Sequence, residues 1–577
     1  MEREAIINSR SGHVAPNSGW LVAAAVYLVT AIVYFAVPIW RTFGESLLGS
    51  TLFGPDNVLN AGILEWGYKV LRSSSLHLFD WPSGYPVHDT LAGTENLIGW
   101  QPLFFPQRLL GIGIVAAYNV SILLSFVISG LTGNLFARQC GVPRDGALIA
   151  GFIFAFAPLH VGLAVQFQSL IICWLPLGIV LFERVLAERS IGNIIALAVV
   201  FVMTTLGSLY FGVFLALLLA VWYPLGLATG RFERSWAGAA RVAAAAALTL
   251  GAMLPVAVQY LRVSSMFGFD RSVAYAIERS MGVADFFMLQ GWLLLWGQSP
   301  LASRTDYGAA FPGFVVLVLL IASFRWKAPR HLKLSLLVVA AICAILSLGP
   351  RLKVFNYPTS YLEHVPMPGA ILGFIPGIRM PSRMLPCAFI FLGVLAGGGA
   401  SVLLARWPDW RRVAVPVLLL AAALDAFPAP SFASESWRLR APLASSDAYA
   451  YLAQAADTSA IVELPKADST GFKLPAKSAY VYGSVGHLRR TVSYNLSVDL
   501  PTADSLQAEA DRLPDEAARE ALVAHGVRRL VVHNRFFKAD SVAPRLARLD
   551  AAGYPVLFRG RDATVYSLER ASGAGTP

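Results

Sequence analysis

Long apolar segments recur along the first three-quarters of the chain, and they restrict it to a membrane-embedded fold. Several fall short of the roughly 20 residues that a membrane-spanning helix needs, so their ends must extend into the loops. Hydrophobic residues make up 56% of the 577 residues and charged residues only 14%, which excludes a soluble globular protein of this length. We therefore predict a polytopic α-helical membrane protein with about 11 to 13 transmembrane helices. The apolar segments cover residues 20–39, 115–137, 147–158, 168–183, 191–206, 210–228, 240–258, 308–323, 334–348, 385–404 and 413–427.

Basic residues occupy alternate loops between these segments, and their placement predicts the orientation. Five such loops hold 14 Lys and Arg residues against 5 Asp and Glu residues. Cytoplasmic loops are enriched in Lys and Arg, so we predict a cytoplasmic N-terminus and a C-terminus on the outer face. Four long segments then fall outside: 40–114, 259–307, 349–384 and 428–577.

The last quarter of the chain has the composition of a soluble domain. Residues 435–577 carry 18 basic and 16 acidic side chains, so most of the net charge of +11 belongs to residues 1–434. The positive-inside bias of membrane proteins already explains this excess of Lys and Arg, which argues against a nucleic-acid partner. Strand patterns at 459–464, 527–533, 556–558 and 563–567 predict a compact α/β fold for the tail. We therefore expect a transmembrane domain over 1–434 with a long first outer loop, and an extracytoplasmic α/β domain over 435–577.

Two acidic residues of the first outer loop are candidates for catalysis. Asp56 follows a Gly-Pro turn soon after the first apolar segment, and Glu95 directly precedes a second apolar stretch. Both are expected at the membrane–water boundary, where a carboxylate can accept a proton from a hydroxyl or bind a cation. The alternatives are that Asp56 caps a helix and that Glu95 is a solvated loop residue.

Arg379 and Arg383 are the second unusual feature, because the predicted orientation places this pair on the outer face, against the positive-inside bias. Guanidinium groups match phosphate oxygens in bidentate geometry, so the pair could bind a phosphate. The alternative is that both side chains extend to lipid headgroups. His364 lies in the same loop and could add a polar ligand to the pocket.

Polar and aromatic residues elsewhere give weaker indications. Gln166 and Gln168 are expected near the outer end of a helical hairpin, where they could line a pocket or form hydrogen bonds between helices. Trp66, Trp81 and Trp100 of the first outer loop could stack on sugar rings, but an interfacial aromatic belt is the more usual role, and we predict the belt.

Taken in order, these motifs resemble bacterial polytopic proteins of the GT-C glycosyltransferase superfamily. The subgroup that is most similar contains relatives of the lipoteichoic-acid glycosylation proteins. The resemblance covers most of the chain and rests on Gly54-Pro55-Asp56, Leu76-His77-Leu78-Phe79-Asp80, Tyr85-Pro86, the segment 150–158, Trp174-Leu175-Pro176-Leu177, Arg379-Met380-Pro381-Ser382-Arg383 and the segment 526–533.

The resemblance implies a donor, an acceptor and residue roles. The donor would be a polyprenyl-phosphate sugar, and the acceptor would be a glycan or lipid of the cell envelope. Membrane lipids would be the remaining partners. Asp56 would be the general base, or an acid that organises a divalent cation where one is used. Arg379 and Arg383 would bind the donor phosphate. The site would be on the outer face of the bacterial inner membrane. One departure is Gln166, where the subgroup pattern has a His nearby, and Gln cannot transfer a proton.

Three classes of function remain open on the sequence alone. A glycosyltransferase is the prediction, with Asp56 and Glu95 catalytic. The alternatives are a transporter of a lipid-linked saccharide and a non-catalytic membrane scaffold whose outer domain binds a partner. Inverted repeats with paired broken helices would favour transport, and we find no convincing internal repeat.

Overall fold

The fold is described from a computed structural model. Each of the eleven predicted apolar segments contains a helix in this structure. The structure describes residues 18–48, 54–267, 273–303, 309–355, 360–374, 378–429, 439–440, 447–466, 475–537 and 539–569.

Helices account for most of residues 18–429. Several begin with Pro in the first turn, where the missing N–H is not needed. The helices are α1 Ser18–Ala31, α2 Gly54–Leu71, α3 Gln101–Leu109, α4 Ile114–Gln139, α5 Arg144–Phe156, α6 Pro158–Gly162, α7 Leu175–Ala187, α8 Ile191–Gly207, α9 Leu209–Ala228, α10 Trp236–Phe267, α11 Val273–Glu278, α12 Phe314–Ser323, α13 Arg330–Ser347, α14 Ala388–Leu404 and α15 Arg411–Asp425. Short strands form three two-stranded pairs, β1 Ser46–Leu47 with β6 Leu439–Arg440, β2 Leu289–Gln290 with β3 Ala302–Ser303, and β4 Arg351–Phe355 with β5 Ser360–Pro366.

The helical part is that of a polytopic membrane protein. Within the described residues, seven helical segments are long and apolar enough to cross a bilayer, and α5 with the helical turns after it forms an eighth that is bent by 40°. Helices α8 and α12 are apolar but shorter. The predicted polytopic α-helical class is therefore confirmed, while the predicted number of 11 to 13 transmembrane helices stays a prediction. The seven segments are Gly19–Thr42, Ile114–Gln139, Phe167–Ala187, Leu209–Ala228, Trp236–Phe267, Arg330–Ser347 and Pro381–Leu404.

The first outer loop packs into the interior of the protein, in the same buried apolar cluster as the helix bundle. Helices α2 and α3 are joined by an ion pair in which Arg108 Nε donates to Glu65 Oε2 at 2.8 Å, with both side chains largely buried. Trp66, Trp81 and Trp100 have at most 2% of their surface exposed. The predicted interfacial belt is therefore wrong for these three residues, because the loop packs them into the interior instead of leaving them at the membrane surface.

The tail contains one four-stranded sheet with helices around it. The strand order is β7-β8-β10-β9, in which β7 and β8 are parallel and the other neighbours are antiparallel. All four predicted strands are confirmed, and the last two pair as an antiparallel hairpin. The elements are α16 Asp447–Gln454, β7 Ala460–Leu464, α17 Pro475–His487, α18 Pro501–Arg512, α19 Glu516–Ala524, β8 Val527–His533, α20 Ala539–Ala551, β9 Val556–Arg559 and β10 Ala563–Ser567.

The tail packs directly on the first outer loop. Helix α17 lies along α2, and Val481 and Val485 of α17 belong to the same buried apolar cluster as the helices of the bundle. Lys69 Nζ donates a hydrogen bond to the backbone oxygen of Val485 at 2.6 Å. The predicted boundary between residues 434 and 435 lies outside the described residues.

A fully buried carboxylate lies at the centre of the tail. Glu463 of β7 accepts hydrogen bonds from the hydroxyls of Tyr449 and Thr491, and His533 Nε2 lies 3.2 Å from its Oε1. Burial alone would raise the pKa of Glu463, but these hydrogen bonds and the charge of His533 outweigh burial and lower it below the usual 4.5. The ionised carboxylate therefore contributes to the stability of the tail.

Glu463→Gln is expected to destabilise the tail by about 3 kcal/mol, because an amide cannot accept every hydrogen bond that the carboxylate accepts in this buried cluster. A carboxyl with a lowered folded-state pKa stabilises the protein above its unfolded-state pKa and loses that effect as the pH falls. The difference between wild type and variant should therefore narrow below pH 4.5. Thermal unfolding of the purified protein at pH 7 and pH 4 measures this, with the exposed Glu520→Gln as the control. Equal midpoints for wild type and Glu463→Gln at pH 7 would contradict the prediction.

Candidate functional site

A cavity of about 570 Å³ lies at the end of the helix bundle on which the tail packs. It is lined by residues from α2, the loop before α3, the junction of α8 and α9, the last turns of α10, the segment before α14 and one loop of the tail. Five of the predicted site residues, which are far apart in the sequence, share this cavity: Asp56, Glu95, Gln168, Arg379 and Arg383.

Asp56 lies in the first turn of α2, where the partial positive charge of the helix N-terminus favours an anion. Burial raises the pKa of its carboxyl, and the charges of Arg383 and Arg279 oppose that rise. A carboxyl with a raised pKa near cationic groups is suited to accept a proton close to neutral pH.

Buried hydrogen bonds fix the start of α2 and so fix Asp56. The next residue, Asn57, is fully buried, and its Nδ2 donates to the backbone oxygen of Leu48 at 2.7 Å. The Tyr118 hydroxyl donates to Asn57 Oδ1 at 3.0 Å, and the Leu48 N–H donates to Asn119 Oδ1 at 2.9 Å. Side chains of α4 therefore anchor the turn that carries Asp56.

Glu95 lies between two 3₁₀ turns, Thr90–Gly93 and Ile98–Trp100. The Ser208 hydroxyl donates to Glu95 Oε1 at 2.7 Å, whereas Oε2 is buried and has no hydrogen-bond partner among the described residues. Burial raises the pKa of Glu95, and Arg383, the Ser208 hydrogen bond and Arg379 oppose the rise. The free oxygen is suited to bind a ligand hydroxyl, because a buried oxygen without a hydrogen bond is energetically costly.

The loop that carries Glu95 is held against α8 and α10. Asn96 Nδ2 donates to the Tyr260 hydroxyl at 3.1 Å, and that hydroxyl donates to the backbone oxygen of Thr94 at 2.8 Å. Gly99 lies so close to α8 that a Cβ there would be 2.0 Å from the backbone oxygen of Met203. Only glycine fits this approach without displacing the loop.

Arg379 and Arg383 both contact the same tyrosine at the start of α9. The Tyr210 hydroxyl accepts a hydrogen bond from the backbone N–H of Arg379 at 2.8 Å. The Arg383 guanidinium lies over the Tyr210 ring, 4.7 Å from its centroid. The Arg379 guanidinium lies 5.7 Å from the ring centroid of Tyr275. Both guanidinium groups therefore lie on aromatic rings, and stacking of this kind does not itself use N–H groups that could bind an anion.

The two predicted glutamines contribute in different ways. Gln168 lines the cavity, and its Oε1 accepts a hydrogen bond from Asn60 Nδ2 at 2.9 Å, one helical turn after Asp56. Gln166 Oε1 accepts from Arg383 Nη2 at 3.2 Å. Gln166 therefore orients an arginine, a role that requires an acceptor oxygen and no proton transfer. The side chain of His364 lies outside the described residues.

Sequence reasoning did not identify Ser208, Tyr210 and Tyr260. Ser208 and Tyr210 each bond to a site residue, and Tyr260 bonds to Thr94 and Asn96 on either side of Glu95. All three lie at ends of apolar helices. Polar side chains at such ends are common, and nothing in their spacing links them to Asp56 or Glu95. The interrupted apolar pattern at Ser208 was the one available signal.

A divalent cation in the cavity would depend on Asp56 and Glu95, because these are its two lining carboxylates among the described residues. Among the same residues, no group of three or more His, Cys, Asp or Glu side chains could hold a metal ion. Arg379 and Arg383 already bring two positive charges to this lining, which opposes a further cation. The donor set fits a divalent cation poorly.

Comparison with solved structures decides the fold family. The chain resembles the arabinofuranosyltransferase AftD from Mycobacteria over 97% of its length, with a TM-score of 0.57 and 13% identity. It resembles the Archaeoglobus fulgidus oligosaccharyltransferase over 96% of its length, with a TM-score of 0.50 and 11% identity. The chain has the GT-C fold.

The extent of the match limits what carries over. The chain spans 42% of the length of the AftD chain and 75% of the oligosaccharyltransferase chain. No family model matches the sequence, and no curated protein matches it. The expected GT-C fold is confirmed, while membership of the superfamily and of its lipoteichoic-acid subgroup stays a prediction.

Proposed function

We propose that this chain is a membrane glycosyltransferase that moves a sugar from a polyprenyl-phosphate donor to a glycan or lipid acceptor of the cell envelope. The observation that carries the proposal is the shared cavity, which two partly buried acidic residues and two arginines line together. Its position at one end of a GT-C-fold helix bundle supports a lipid-linked substrate, because the phosphate of such a lipid lies at the membrane boundary.

The proposed reaction gives the two carboxyl groups separate roles and the two arginines a shared one. The acceptor hydroxyl oxygen attacks the anomeric carbon of the donor sugar, and its proton passes to the Asp56 carboxylate. The bond between the anomeric carbon and the phosphate oxygen breaks, and the lipid phosphate leaves with the electron pair. Arg379 and Arg383 stabilise the negative charge that develops on this phosphate. Glu95 uses its unpaired oxygen to hold a sugar hydroxyl.

The proposed location is the outer face of the bacterial inner membrane, with the N-terminus in the cytoplasm. The support is the charge pattern, because the Lys- and Arg-rich loops lie at the end of the bundle opposite the cavity.

Transfer is expected to be insensitive to a metal chelator, because the two arginines supply the positive charge that a cation would otherwise provide. Purified protein assayed with excess EDTA should keep its full rate, and added Mg²⁺ or Mn²⁺ should leave the rate unchanged. Loss of activity in EDTA with recovery on adding Mn²⁺ would contradict this prediction and give Asp56 a metal-binding role.

The decisive experiment measures donor consumption by purified protein in detergent. Radiolabelled polyprenyl-phosphate glucose, mannose, galactose and arabinose are the donors, and octyl glycosides of the same sugars are the acceptors. A glycosyltransferase consumes a donor without vesicles or a gradient. A transporter leaves the donor intact in detergent but moves it across liposomes. A scaffold does neither, and either of these last two results would refute the proposal.

A further inference from the structure

One loop of the tail contributes to the wall of the cavity. Asn495, Leu496 and Ser497 line the same space as Asp56 and Glu95, although they lie about 400 residues later in the chain. The proposed reaction assigns no role to them.

This loop is held in place by backbone hydrogen bonds to the first outer loop. The Ser497 N–H donates to the backbone oxygen of Gly93 at 2.8 Å, two residues before Glu95. The Tyr85 N–H donates to the backbone oxygen of Thr491 at 2.9 Å. The fit is close, because a Cβ at Gly93 would lie 2.9 Å from Val498 Cγ2. The loop is therefore a preformed part of the cavity.

The groups that the loop presents are neutral. Asn495 Nδ2 donates to the Ser478 hydroxyl at 2.9 Å, which leaves the amide oxygen of Asn495 as an acceptor. The Ser497 hydroxyl makes no hydrogen bond to any described residue, and Leu496 adds an apolar surface between them. An amide, a hydroxyl and an apolar side chain suit a neutral sugar, which has hydroxyl groups and apolar C–H faces.

The position of the loop indicates which sugar it meets. The phosphate of the donor is assigned to Arg379 and Arg383, whereas the loop is bonded to the segment that carries Glu95. The acceptor hydroxyl must come within hydrogen-bond reach of the proposed base Asp56, which lines the same cavity as the loop. The loop also lies beside Glu95, which is assigned to a sugar hydroxyl. Resting on the proposed function, we propose that Asn495 and Ser497 bind the acceptor sugar, which makes the tail a determinant of acceptor specificity.

The test compares Asn495→Ala and Ser497→Ala with Asn534→Ala, a tail residue that does not line the cavity. Octyl glycosides of glucose, mannose, galactose and arabinose serve as acceptor probes. Each cavity variant should raise the KM for the preferred glycoside about 10-fold, since each loses one hydrogen bond. The donor KM and the slow hydrolysis of the donor by water should not change. A purely structural role would move all three quantities together, and unchanged acceptor KM values in an active enzyme would overturn the inference.

A binding measurement separates this inference from the proposed function. Saturation-transfer NMR detects the same octyl glycosides on the purified protein without any donor. Binding that is lost in the double variant but kept in Asn534→Ala supports the acceptor site, even where no donor is consumed. If the wild type neither binds nor uses any of these glycosides, the inference fails.

Discussion

Asp56→Asn is expected to lower the rate of sugar transfer by about 10³-fold, because an amide cannot take the proton of the acceptor hydroxyl. The substitution keeps the size of the side chain and leaves Asn57 and its buried hydrogen bonds in place. The folded protein and its donor affinity should therefore be retained. The measurement is transfer of radiolabelled sugar under single-turnover conditions, together with the donor KM.

The matched control for this variant is Asp409→Asn, an exposed aspartate at the opposite end of the bundle, which should be as active as wild type. A thermal unfolding midpoint equal to that of wild type shows that Asp56→Asn is folded. Transfer at the wild-type rate by the folded variant would remove Asp56 from the mechanism.

Arg383→Gln is expected to lower kcat/KM for the donor by about 10²-fold, because one of the two guanidinium groups assigned to the phosphate is lost. The pH dependence should change too. The charge of Arg383 holds down the pKa of Asp56, so its removal lets that pKa rise further. A base must be ionised to act, and activity would therefore fall away at a higher pH in the variant than in wild type.

The pH profile distinguishes this role from simple packing. Arg406→Gln, which changes an exposed arginine at the far end of the bundle, should leave both kcat/KM and the pH profile unchanged. An Arg383→Gln enzyme with an unaltered donor kcat/KM would show that the phosphate is bound elsewhere. If activity falls at the same acidic pH in the variant and in wild type, Asp56 is not the group whose protonation limits the rate.

Much of the site could be predicted because charged side chains are energetically unfavourable beside membrane-spanning segments. Asp56, Glu95, Arg379 and Arg383 are charged residues beside apolar segments, so each invites a functional explanation even in a single sequence. The strands of the tail were predictable for another reason, since β-branched runs bounded by turn residues are a local signal. The helical fold followed from the apolar segments alone.

The remainder depends on packing between distant elements. Ser208 and Tyr210 are ordinary residues at a helix junction until Glu95 and Arg379 are placed beside them. The tryptophans of the first outer loop were misassigned because the sequence does not reveal that this loop has an interior. The contribution of Asn495 and Ser497 could not be foreseen, since it depends on how the tail lies against the loop at Gly93.

The close packing of α17 on α2 bears on how mutations in this protein should be interpreted. The helix whose first turn carries Asp56 has the bundle on one side and the tail on the other, and Lys69 bonds across that second contact. A premature stop codon in the last quarter would remove the tail that packs on this helix, though every charged residue of the cavity would still be translated. Loss-of-function alleles that map to the tail therefore need not mark a separate activity.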